Sequence, residues 1–179
     1  MKIVVSLALA LLSLNLMAMP QIGKPLPTAT LSGDLGGKVD GSGWNTEELK
    51  GKVQVIFYVD PDEKNTNNHV SEAIAAEKFD RTYYGSSGII NMDATWLPNG
   101  IIASSLKKKQ EKYPNTVYVK DMEKTLVKVW NVQDDASNII VLSPTSEVLI
   151  AEHGKVADDK VKLIVETIRK EVEKLKASK

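Results

Sequence analysis

The chain has 179 residues, 23 Lys and Arg against 23 Asp and Glu, 42% hydrophobic residues and no cysteine. That charge balance leaves no electrostatic footprint for a nucleic acid, and the apolar fraction is enough to pack a core. Without cysteine there are no disulfides, no thiol nucleophile and no cysteine-ligated zinc.

Lys2 is followed by an apolar run from Ile3 to Leu14, then by Ala18 and Pro20. A basic start, a short apolar stretch and a small residue at the cut form the pattern of a secretory signal peptide. Ser13 and Asn15 interrupt the run, which falls short of the roughly 20 apolar residues of a membrane span. The expectation is cleavage after Ala18 and no membrane attachment afterwards. The roughly 160 residues that remain are the size of one domain. They divide into a Gly- and Pro-rich lead-in over residues 19–43 and a domain over 44–179.

The lead-in holds one short edge strand at 28–31, and 44–49 reads as a helical turn. Val53–Val59 is an apolar β-rich run suited to a central strand buried on both faces. Asp60 and Pro61 end it. Residues 65–68 offer N-caps for a helix running through Phe79, with Val70, Ala73 and Ile74 on one face. Residues 87–92 form the next strand. Pro98 opens a helix with Ile101, Ile102 and Leu106 turned inward, and Pro114 stops it. A strand at 116–120 alternates Val117 and Val119, and 123–129 forms a short helix. Residues 138–142 and 147–151 pair as a hairpin across Pro144, Thr145 and Ser146. The last helix carries Val161, Ile164, Val165, Ile168, Val172 and Leu175 at helical spacing. Asp158 and Asp159 suit its N-terminal end, and Lys174 and Lys176 its C-terminal end. Strands alternating with helices, then a hairpin and helix, predict a mixed sheet covered on both faces.

The phrase Ile22-Gly23-Lys24-Pro25-Leu26-Pro27, the lead Leu49-Lys50-Gly51-Lys52-Val53 and the closing hairpin and helix resemble the thioredoxin-like superfamily. Ile89-Ile90-Asn91-Met92-Asp93-Ala94, Ser104-Ser105-Leu106 and Lys112-Tyr113-Pro114 resemble the YtfJ family of periplasmic proteins, over nearly the whole mature chain. The resemblance implies a thioredoxin-like three-layer α/β/α fold with a mixed central sheet and a periplasmic location. That family has no established biochemical activity, so no reaction is implied. In thiol-active members of the superfamily, a cysteine follows the first central strand at a helix start, where the dipole lowers its pKa. A cis-proline precedes the penultimate strand. Here the matching stretches are Asp60-Pro61-Asp62-Glu63-Lys64-Asn65-Thr66-Asn67-Asn68 and Ala136-Ser137-Asn138, with neither sulfur nor that proline. Thiol exchange does not carry over.

Function on such folds gathers at strand ends and helix N-termini. The candidate ligand contacts are Asp60, Asp62, Glu63, Asn67, Asn68, Asp93, Ser137 and Asn138. No catalytic residue, cofactor or metal is assigned, because a calcium loop would need other residues at Lys64, Asn65 and Ser71. Gly36-Gly37-Lys38 and Gly41-Ser42-Gly43 read as turns, not phosphate loops. Gly85-Ser86-Ser87-Gly88 is one residue short of a nucleophile elbow. His69 and His153 read as exposed structural residues, Trp44, Trp96 and Trp130 as core or lid packing, and Lys107, Lys108 and Lys109 as a solvated face. The expected function is that of an exported, redox-inactive binding module for a periplasmic protein or small ligand. The alternatives are an enzyme using Asp60, Asp62, Glu63 or Asp93 as acid or base, and a structural partner in an envelope assembly through the last helix.

Overall fold

The structure, a computed structural model, describes residues 19–178, so the signal-peptide expectation lies outside the described residues. The elements in chain order are β1 (Thr30–Leu31), β2 (Gly36–Lys38), β3 (Trp44–Asn45), β4 (Val53–Val59), α1 (Asn68–Ala76) and β5 (Tyr84–Asn91). They continue with α2 (Asn99–Lys112), β6 (Thr116–Asp121), α3 (Thr125–Trp130), β7 (Ser137–Leu142), β8 (Val148–His153) and α4 (Asp158–Ala177). Six strands form one sheet in the order β2-β6-β5-β4-β7-β8, and β1 pairs with β3 separately. β4, β5 and β6 are parallel, while β2, β7 and β8 join antiparallel. This is the three-layer arrangement with a mixed sheet that the alternation of elements predicts.

β4 sits in the middle because its side chains are apolar on both faces. Val53 and Val55 meet Val70 and Ile74 of α1 and Ile164, Val165, Ile168 and Val172 of α4. Ile56 and Tyr58 point the other way, into a cluster with Leu31, Trp44, Leu126 and Trp130. Trp44 and Trp130 meet edge to face, with ring centroids 6.1 Å apart, and the Trp130 indole donates to Pro27 O at 2.9 Å. Each such buried side chain contributes about 1.5–3 kcal/mol relative to exposure. Ile102 and Leu106 seat α2 against Val59, Ile90 and Met92. No helix among the described residues is long and apolar enough to cross a membrane.

Four expectations are corrected. Gly36 and Gly37 do not make a turn; with Lys38 they form β2, antiparallel to β6. Their φ values of 121° and 133° suit only glycine, and a Cβ on Gly36 would lie 2.0 Å from Lys120 O. Ile101 is 60% exposed, not inward, because one helical step rotates it about 100° from Ile102. The stretch 44–49 begins as the strand β3, and only Thr46–Leu49 turns, capped by Asn45 and Glu48. Helix α1 stops at Ala76, ahead of Lys78 with a φ of 51°, and Phe79 packs instead on Tyr84, centroids 5.3 Å apart.

β2 covers only 119–121 of β6. Beyond it, Val39 N donates to Tyr118 O at 3.2 Å, and Gln110 of α2 donates to Thr116 O at 2.8 Å and accepts from Tyr118 N at 3.2 Å.

Candidate functional site

β4 delivers Asp60 to the C-terminal end of the sheet, and Pro61 turns the chain there. The Asp60 carboxylate accepts from Asp62 N at 2.9 Å, capping the turn Pro61–Glu63. Its own N–H donates to Ala136 O at 3.1 Å, so the two stretches that match a thiol site do meet. Asp60 is 4% exposed. Burial raises its pKa above the ordinary carboxylate value; the Asp62 N–H opposes this, and the charges of Asp62, Asp135 and Glu63 add to it.

Asn67 stands at the start of α1, yet its side chain spans the sheet end instead of capping the helix. Its amide donates to Ser137 Oγ at 2.9 Å and Gly154 O at 2.8 Å, and its Oδ1 accepts from Val156 N at 3.0 Å. His69 extends the seam, with Nε2 2.9 Å from Val156 O, so it is a half-buried link and not the exposed residue expected. Asn138 donates to Gln133 O at 2.8 Å and Tyr58 O at 3.3 Å, and accepts from Gln133 N at 3.0 Å. Four of the eight candidates, Asp60, Asn67, Ser137 and Asn138, are therefore brought together in one buried seam. Their polar atoms bond to one another and to backbone.

The other four face water. Asn68 is exposed and reaches Asn65 Oδ1 at 3.4 Å. Glu63 accepts the Thr66 hydroxyl. Asp62 accepts from Thr95 Oγ1 at 3.2 Å, linking the turn after β4 to the loop after β5. Asp93 is exposed in that loop, close enough to Lys124 to help raise the lysine's pKa. Trp96 in the same loop is 86% exposed, where core or lid packing was expected; Trp44 and Trp130 meet that expectation at 1% each.

Asp121, Asn91 and Asp134 also gather here, none of them among the candidate contacts. Asp121 ends β6 fully buried and accepts from Thr125 N at 2.9 Å, Leu126 N at 2.8 Å and the Tyr58 hydroxyl at 3.1 Å. Burial first, then the Asp121 charge, pushes the Tyr58 phenol far above its ordinary pKa. Asn91 ends β5 and donates to Asp134 Oδ1 at 2.9 Å, while Lys124 holds Asp134 Oδ2 at 2.9 Å. Partial burial works against the Asp134 charge, but the bonds from Lys124, Asp135 N–H and Asn91 hold its pKa below the usual value. Asp60 and Asp93 stand out near strand ends in the sequence; Asp121, which caps α3 from beneath, does not.

Among the described residues, no three His, Cys, Asp or Glu side chains converge to hold a metal ion. What the arrangement offers is a rigid polar end wall with acids and one indole displayed outside it. It holds no sulfur.

The comparisons with known proteins agree with this geometry. A family model described as "Bacterial protein of unknown function (YtfJ_HI0045)" matches residues 34–171. An uncharacterized protein of Haemophilus influenzae is 27% identical over 128 residues, 70% of each chain. The uncharacterized protein YtfJ of Escherichia coli (strain K12) is 25% identical over 130 residues, 71% of each chain. A thiol peroxidase from Chromobacterium violaceum superposes with a TM-score of 0.62 at 13% identity, over 86% of this chain and 88% of that one, a likeness of fold alone. The family match runs from just before β2 well into α4, across the whole central sheet, so the chain belongs to the YtfJ_HI0045 family and carries that sequence on a thioredoxin-like fold.

Proposed function

We propose that the protein is exported to the periplasm and serves there as a redox-inactive binding module. The observation that carries this reading is the fate of the polar residues at the matching thiol site. Asn67, Ser137 and Asn138 are spent on internal bonds, and the chain has no cysteine. The surface beyond them presents Asp62, Glu63 and Asp93 with Trp96. Acids beside an exposed indole suit a cationic partner, because lysine and arginine pair with carboxylates and stack on indole faces. The partner class is therefore a basic protein segment.

The test is a photo-crosslinking residue at position 96, compared with one at Leu163 on the outer face of α4, in cells that export the protein. A discrete adduct from position 96, lost when Asp62, Glu63 and Asp93 are changed to their amides, is the expected result. Adducts only from position 163 would favour a structural role through α4. Fractionation that leaves the chain in the cytoplasm would remove export, and disulfide reduction by the pure protein would remove redox inactivity.

A second reading, acid-base chemistry, rests on the raised pKa of Asp60. It requires a reaction that Asp60→Asn abolishes, and a turnover that survives this change would sink it.

A further inference from the structure

At the opposite end of the sheet, where β4, β5 and β6 begin, lies a cavity of about 260 Å³. This is below the usual range of about 300–1,000 Å³ for drug-sized ligands, so its occupant is small. Gln54 and Ser87 line it, 6% and 2% exposed, and neither side chain has a hydrogen-bond partner among the described residues. Their polar atoms open onto the cavity, so solvent or a ligand there is what they can bond. Gly85 is Gln54's neighbour on β5. Its φ is an ordinary negative one, so its backbone does not demand glycine. Space does: a Cβ there would lie 2.4 Å from Gln54 Oε1. The missing side chain keeps the Gln54 amide seated at the cavity.

The mouth is cationic. Arg81 lines it, with Nη1 3.3 Å from Ser86 Oγ and 3.5 Å from Asn115 O, and its guanidinium lies 5.0 Å from the centre of the Tyr84 ring. Lys52 donates to Arg81 O at 2.6 Å. Neither cation forms a salt bridge among the described residues, although the bonds from Thr82, and more weakly the Lys52 charge, hold the Asp80 pKa below its ordinary value. The acids nearby are otherwise engaged: Glu48 pairs with Lys38 at 2.6 Å, Glu47 with Lys50 at 2.6 Å, and Asp80 accepts from Thr82 N at 2.8 Å. A planar guanidinium with unused N–H groups binds carboxylate or phosphate oxygens in pairs.

We propose that this cavity is a binding site for a small organic anion, its carboxylate or phosphate held by Arg81 and Lys52 and its uncharged polar end by Gln54 and Ser87. The site is separate from the acidic surface around Trp96 and takes ligands of the opposite charge.

The test is a titration of the isotope-labelled protein, followed by amide NMR, with inorganic phosphate and separately with succinate at constant ionic strength. The expected result is a saturable shift confined to Gln54, Arg81, Gly85, Ser86, Ser87 and Asn115. Response to phosphate alone assigns phosphate esters, and response to succinate alone assigns carboxylates. Arg81→Ala should weaken binding at least tenfold. Gln54→Leu should weaken it without lowering the melting temperature, which misfolding cannot imitate. No saturable shift with either anion would overturn the proposal. So would shifts centred on Lys107, Lys108 and Lys109, or binding that Arg81→Ala and Gln54→Leu leave unchanged.

Discussion

The two ends of the parallel strands bury polar side chains in opposite ways. At the C-terminal end, Asn67 and Asn138 each make three bonds, to side chains and backbone around them. At the N-terminal end, Gln54 and Ser87 make none among the described residues. The first pattern is structure: a satisfied network locks the junction of β4, α1 and β7. The second leaves hydrogen-bonding capacity open to a cavity, which is how a binding site differs from the frame that carries it. Asn91 stands between the two cases, its amide nitrogen on Asp134 and its Oδ1 buried without a partner.

This contrast is open to attack by substitution. The largest effect is expected from Asn67→Ala, which strands Ser137 Oγ, Gly154 O and Val156 N. A loss of about 3 kcal/mol in denaturant unfolding is expected, and a loss below 1 kcal/mol would mean the seam is ornamental. Asn138→Ala should cost about 2 kcal/mol by the same measurement, because Gln133 can turn part of its backbone to water. Gln54→Leu should matter far less, with stability changed by less than about 1 kcal/mol. A destabilised Gln54→Leu would show that the amide has partners in solution, and would erase the distinction between the ends.

The smallest effect is one of pH. Asp60 has a raised pKa in the folded state, so its contribution favours folding below the unfolded value of 3.8 and is lost as pH rises through the folded value. Asp60→Asn keeps a side-chain acceptor for Asp62 N and cannot ionise. The parent should therefore lose stability relative to Asp60→Asn as pH climbs from 3.8 through the raised folded value. Parallel stability profiles for the two would place the Asp60 carboxylate in water.

Much of the frame was legible in the residues, for identifiable reasons. Val53–Val59 announces a central strand because its apolar run has no alternation, and α4 announces itself by the spacing of Ile164, Ile168 and Val172. β2 was hidden, since Gly36 and Gly37 look like punctuation until Lys120 O is seen pressed against them. The candidate site was half legible. The resemblance to thiol-active folds set Asp60, Asn67, Ser137 and Asn138 in the two stretches that match one site. Whether they faced a ligand or the fold depended on Gly154, Val156 and Gln133, which no local pattern links to them. The cavity at the other end showed only as Gly85-Ser86-Ser87-Gly88, set aside as an incomplete nucleophile elbow: Gln54 lies inside an apolar strand, Arg81 in a turn and Asn115 before β6, and only the parallel register assembles them.

The single amide of Gln110 has a consequence for the protein in a crowded compartment. Where β2 falls short, the outermost backbone of β6 is stoppered by that side chain at Thr116 O and Tyr118 N, with Val39 N on Tyr118 O. An uncapped strand is a template on which other chains polymerise. Removing this one glutamine would bare a carbonyl and an N–H at the rim, the two groups that strand addition by another chain needs.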